Sequence, residues 1–219
     1  MKRMFLLLGK LLLAIFICQA QNTNTKGKIS PFLLDKFEEA EVFFHDGSRY
    51  QETINYNLLT NRFYFIDKTD QSVKAVSNPQ DIFMVKTKGR CFYQEKGYAI
   101  EVVPTHPPLF VQYKAHIRKE ADKGAYGTTS ETSSIRTYGG FGANGNRFDL
   151  NTEELFIGKR YQHYWLEKNG KRKAFRNFKQ FLKLYPEHKA ALGQFIKENQ
   201  LDIDNVEHVK VLCVHAESL

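Results

Sequence analysis

The sequence predicts an α+β protein: an antiparallel, β-rich sandwich or small barrel followed by a C-terminal three-helix unit. Three observations carry this expectation. Between residues 31 and 118, short runs alternate apolar and polar side chains, the period-2 signature of half-buried strands. The runs recur about every ten residues and are separated by turn residues such as Asp46-Gly47 and Lys88-Gly89. From residue 176 onward the apolar residues recur at helical spacing instead.

The chain opens with Lys2 and Arg3, continues with an apolar stretch from Phe5 to Ile17 broken only by Gly9 and Lys10, and places Cys18 and Ala20 ahead of a cut after Ala20. This is the layout of a secretory signal peptide over residues 1–20. A membrane anchor is not expected, because the uninterrupted run from Leu11 to Cys18 is far short of the ~20 residues a helical span requires. Ile17 ahead of Cys18 argues against lipidation, which calls for a small residue there. Residues 21–30 then read as a flexible lead-in. Removing Lys2, Arg3 and Lys10 lowers the formal net charge from +8 to about +5, a mild excess that does not point to nucleic acid. Cys91 and Cys213 remain, so at most one disulfide can form and this is no disulfide scaffold. The roughly 200 residues left are enough to bury a core without such staples.

Strands are expected over residues 41–44, 50–56, 62–66, 72–76, 82–87, 91–94, 99–103 and 109–118, rich in the Phe, Tyr, Val and Ile that suit a pleated, half-buried surface. Most are shorter than the ~10-residue strands of an outer-membrane barrel, which is therefore not expected. Residues 120–147 contain almost no aliphatic side chains and read as a long Gly/Ser/Thr loop within the β-rich domain of residues 31–175. Its Ser, Thr and Gly read first as a flexible surface excursion. In the second reading, a loop held by a rigid sheet carries recognition residues, and Tyr126, Arg136, Tyr138 and Phe141 are the candidates. The same loop satisfies G-x-G-x-x-G from Gly140 to Gly145, but no strand-to-helix turn surrounds it. The match is a coincidence of a Gly-rich segment, not a dinucleotide site.

Residues 161–167 and 171–175 flank Asn169-Gly170 and form a hairpin signal. Helices are expected over 177–185, with Phe178, Phe181, Leu182 and Tyr185 on one face, and over 187–199, with Leu192, Phe195 and Ile196 inward. Asp204-Asn205 can cap a third, striped by Val206, Val209, Leu212 and Cys213. Together residues 176–219 make a helical unit, or a cover over one face of the sheet. Residues 168–186 hold seven basic side chains and no acid, so Arg176, Lys179 and Lys183 are candidate anion-binding residues. Because the aromatics of this segment lie on the apolar helix face, where packing explains them, a solvated basic face is the first reading of these lysines and anion binding the second.

No G-x-S-x-G, H-E-x-x-H or C-x-x-C pattern is present. His208 and His215 share a helix face but stand two turns apart, ~10 Å, too far for one metal. His106 and His163 have no recognisable partner, and Cys91 with a histidine is a nucleophile–base pair only where the fold joins them. No catalytic residue, cofactor or metal ligand is assigned.

Several stretches taken together carry a resemblance: INYNLLTNRFYFID at 54–67, NPQDI at 78–82, KGAYGTTSETSSI at 123–135 and KQFLKLYPEHKAALGQFIKENQLDIDNVEHV at 179–209. The chain resembles a group of uncharacterised secreted proteins of the Bacteroidota over most of its length after the signal. The resemblance implies a cell-envelope location (periplasm, outer-membrane surface or outside the cell) and supplies no activity, cofactor or catalytic residue. The expectation is a non-enzymatic envelope protein that binds or supports another envelope protein or component, with no nucleic acid as partner. A periplasmic hydrolase, or a binder of anionic polymer through residues 168–183, are the alternatives.

Overall fold

The computed structural model describes residues 29–119 and 155–219. Within them, ten strands form one antiparallel sheet: β1 (Glu38–Phe44), β2 (Arg49–Asn57), β3 (Arg62–Ile66), β4 (Val73–Ala75), β5 (Ile82–Thr87), β6 (Arg90–Glu95), β7 (Tyr98–Val103), β8 (Leu109–Lys119), β9 (Leu155–Lys168) and β10 (Lys171–Phe175). Three helices follow: α1 (Phe178–Phe181), continued by a 3-10 turn at Leu182–Leu184, then α2 (Lys189–Glu198) and α3 (Val206–Glu217). The expected secretory signal at 1–20 and the expected loop at 120–147, with Tyr126, Arg136, Tyr138 and Phe141, lie outside the described residues.

The strand order is β10-β9-β8-β7-β6-β5-β1-β2-β3-β4. Two meanders therefore grow outward from β1. The first runs to β4. After a 3-10 turn at Pro79–Asp81, the chain returns to lay β5 along the free edge of β1, with Val42 opposite Val85. All ten strands belong to one sheet whose edges, β10 and β4, are not joined. The antiparallel β-rich architecture and the helices after it are as expected, while the described residues show one sheet without closure, so the finer expectation of a sandwich or barrel is not established. What replaces closure is curl. Ile157 of β9 is fully buried in the same apolar cluster as Ile54 and Tyr56 of β2 and Phe63 of β3.

Residues 29–34 run across the gap that the curl leaves. Ile29 bridges to Ile157 and Phe32 to Asn57. A terminal nitrogen of Arg160 donates to the carbonyls of Ser30 and Phe32 (3.0 and 2.6 Å). Asn55, 1% exposed, accepts from the Leu34 amide (3.0 Å) and donates to the Leu34 carbonyl (2.9 Å), so the strap's main chain is satisfied away from water.

Local chemistry explains the ends of the elements. Asn169-Gly170 joins β9 to β10 with φ of +53° and +68°, and Lys96-Gly97 joins β6 to β7 in the same way. Positive φ at both positions is what a two-residue hairpin turn of matching twist requires. Asn177 caps α1 by accepting from the Gln180 amide, and Asn205 caps α3 by accepting from the amides of Glu207 and His208. The helices cover one face of the sheet. Phe181, Leu192, Val209, Leu212 and Cys213 pack with Leu109 and Val111 of β8, Tyr164 and Leu166 of β9, and Phe175 of β10. Tyr185 donates to Glu217 (2.6 Å), and Lys168 reaches the same carboxylate (3.2 Å) while lying over the Tyr185 ring, which fastens the last helix to β9. Cys213 is buried in this core and Cys91 lies on β6; both are free thiols. No helix among the described residues is long and apolar enough to cross a membrane.

Candidate binding face

The side of the sheet away from the helices carries a concentration of rings and cations on β8, β9 and β10. Side chains alternate between faces along a strand, so Tyr164 and Leu166 point to the helical core while Tyr161, His163 and Trp165 share the opposite face. Register completes the surface. His163 stands opposite Gln112, Tyr161 opposite Lys114, and Trp165 between Phe110 of β8 and Ala174 of β10. Phe175 is opposite Tyr164, so Arg176, one residue further, comes level with His163. The histidine is flanked by Arg176 on one side, with Lys114 diagonally across on the other.

The rings form a continuous row. His116 stacks on Tyr161 at 4.6 Å between centroids, Tyr161 is 5.5 Å from His163, and His163 meets Trp165 edge-on at 6.4 Å. From Tyr161 to Trp165 the row spans about 14 Å, four residues at ~3.4 Å each. Lys114 extends over the Tyr98 ring (5.7 Å), and Arg172 lies over Phe110 at 3.9 Å.

The electrostatics separate two kinds of cation. Arg172 is compensated, at 2.6 Å from Glu95 and 3.8 Å from Glu167. Lys114 and Arg176 have no carboxylate within ion-pair distance among the described residues. Their field is visible in their neighbours. Burial first, then Arg176 and Lys114, draw the His163 pKa down to about 4, so the imidazole is neutral at pH 7. Burial and the charge of Arg176 also lower the pKa of Lys114. Burial raises the Tyr161 phenol, and Arg176 opposes it. Two uncompensated cations beside a row of rings make a surface that attracts negative charge and offers flat apolar faces at the same place.

Of the anion-binding candidates read from the sequence, Arg176 belongs to this face. Lys179 and Lys183 do not: both are exposed on α1 and the turn after it, and neither acts on the groups around His163. The residues that sequence reasoning missed are Lys114, His116, Tyr161 and Trp165. Their signal is the alternation Tyr161-x-His163-x-Trp165 beside Lys114-x-His116, which reads as strand pattern until pairing puts both runs on one face. Cys91 shares that face, but β7 and β8 lie between it and His163, and three inter-strand spacings put them on the order of 14 Å apart or more. Its neighbours are Lys86 and Tyr93, and burial raises its thiol pKa, so no nucleophile–base pair forms there. His208 accepts from the Asp202 amide and His215 stacks on Phe195 at 3.9 Å. No three His, Cys, Asp or Glu side chains among the described residues converge in a metal-binding arrangement. No protein-family model, curated protein or solved structure matches this chain, so its own surface chemistry has to carry the functional reading.

Proposed function

We propose that the protein is an exported, non-enzymatic binding module of the cell envelope that holds an acidic polysaccharide on the β8–β9–β10 face. The carrying observation is the pair of uncompensated cations, Lys114 and Arg176, set around the Tyr161–His163–Trp165 row. Rings take the flat faces of sugar units, and the two cations take their carboxylate or sulfate groups. The secretory pattern of residues 1–20 and the resemblance to secreted Bacteroidota proteins support the location. Export also favours a polysaccharide over a nucleic acid as the polyanion.

Native electrophoresis through gels containing a uronic-acid polymer tests this reading with a built-in control. Lys114→Ala/Arg176→Ala and Lys179→Ala/Lys183→Ala each remove two charges, so non-specific attraction falls equally. The first pair is expected to lose retardation, by about tenfold or more in affinity per contact, while the second keeps it. Equal loss in both pairs would mean a general charge effect and no site. Equal affinity for a single-stranded oligonucleotide would remove the sugar-specific part of the reading.

A further inference from the structure

The helix-covered face of the sheet holds a second, separate feature. Between its two apolar cores lies a cleft of about 450 Å³, with β6 to β9 as its floor and the first turns of α3 as one wall. Apolar side chains including Val103 and Val206 line part of it, and Arg90, Glu101, Arg160 and Lys210 reach it from four different elements. Sites for small ligands are commonly built in this way, with apolar walls and a few convergent polar groups.

The charges of the cleft are not alike. Glu101 is only 6% exposed, and both its oxygens are occupied: Arg90 binds it in bidentate fashion (2.8 and 2.9 Å), and the Tyr113 hydroxyl donates to it as well. That trio is internally neutral and fixed. Lys210 pairs with Glu207 at 3.2 Å on the rim. Arg160 differs from both. Its hydrogen bonds go to two main-chain carbonyls, which are uncharged, and no carboxylate is within ion-pair distance among the described residues. Burial lowers its pKa, opposed only by Asp35. Its Nε and the Oε1 of Gln162, two residues along the same strand face, are buried without hydrogen-bond partners. Arg160 is therefore under-bonded and outside any ion pair among the described residues, with Asp35 acting on it only at longer range, and it gives the lining one net positive charge.

We propose that this cleft binds a small organic monocarboxylate, its carboxylate on the Arg160 guanidinium and its apolar body against Val103 and Val206. A planar, forked guanidinium suits a carboxylate. A lining with one net positive charge matches a monoanion better than a dianion such as phosphate, and the apolar wall suits an aliphatic or aromatic body. The site lies on the opposite face from the ring row and is independent of it.

Titration calorimetry of the full chain with benzoate, with benzyl alcohol and inorganic phosphate as counterparts, tests the proposal. The expected result is saturable 1:1 binding of benzoate, no binding of the alcohol and weaker binding of phosphate. Because Arg160 also holds the strap at Ser30 and Phe32, Arg160→Gln is paired with Lys210→Glu, which changes only the rim. Thermal melting checks that each is folded. Benzoate binding should disappear in a folded Arg160→Gln protein and weaken several-fold in Lys210→Glu. Retardation by the acidic polymer should be unchanged in Lys210→Glu, so the two sites fail or succeed separately. No benzoate binding to the unaltered chain, tighter binding of phosphate, or binding that Lys210→Glu leaves unaltered would overturn the proposal.

Discussion

Asn55 shows how one buried side chain decides whether the strap stays in place. It meets the Leu34 amide and carbonyl and also accepts from the Tyr56 amide at 2.8 Å. In Asn55→Ala these buried main-chain groups lose their partners, at about 1–3 kcal/mol each. We expect a large drop in urea midpoint together with faster proteolysis around residues 29–34. His163 is a residue-scale case with a sign. Its folded pKa, about 4, lies below the ordinary 6.5, so between those values the unfolded chain binds more protons. The contribution of His163 to stability is full above pH 6.5 and is lost as pH falls toward 4. His163→Asn should therefore show a flatter melting temperature than the parent across that window, with the carboxylate titrations common to both. An anion held at Lys114 and Arg176 relieves the field on His163, so binding should take up protons and tighten as the pH falls through the same range.

At the scale of elements, most strands and all three helices were legible because each is written locally. Residues 62–66, 82–87 and 171–175 read as strands and are strands with the same bounds, and the helix stripes ending at Cys213 face the core as their spacing implies. The partners of each strand were not legible. Nothing near β1 states that β5 will take its second edge, because that choice is made by burial between segments distant in sequence. The same gap hid the candidate face. His163 was visible as a strand histidine, but Lys114 and Arg176 become its neighbours only through the registers of β8 and β10. The two outer strands of the sheet are protected differently. β4 has only three residues, with Lys74 tied to Asp67 and Asp70, and β10 carries Lys171, Arg172 and Lys173. Gly170→Val forces a β-branched residue into φ of +68° at the hairpin that presents Arg176. A loss of about 1–2 kcal/mol or more is expected in thermal unfolding. Asn205→Ala, which removes the cap of α3, should cost about 1 kcal/mol.

For the whole molecule, one sheet serves two purposes. Its inner face is divided between the core under the helices and the core formed by curl, with the Arg90–Glu101–Tyr113 trio between them. A chain ending before Val206 would uncover Leu109, Val111, Tyr164 and Phe175, so it is expected to bind hydrophobic dye and to lose cooperative unfolding. On the outer face, Lys114 and Arg176 stand beside the ring row outside any ion pair among the described residues. Trp165 is the only tryptophan in the chain and sits in the ring row, so its emission reports on that face alone. The most direct measurement is a fluorescence titration with a uronic-acid oligosaccharide and with its neutral counterpart, at low and high salt. A saturable change in Trp165 emission is expected for the acidic sugar, weakening steeply as salt is added and absent for the neutral one. No change with the acidic sugar, or an equal and salt-insensitive change with both, would contradict it.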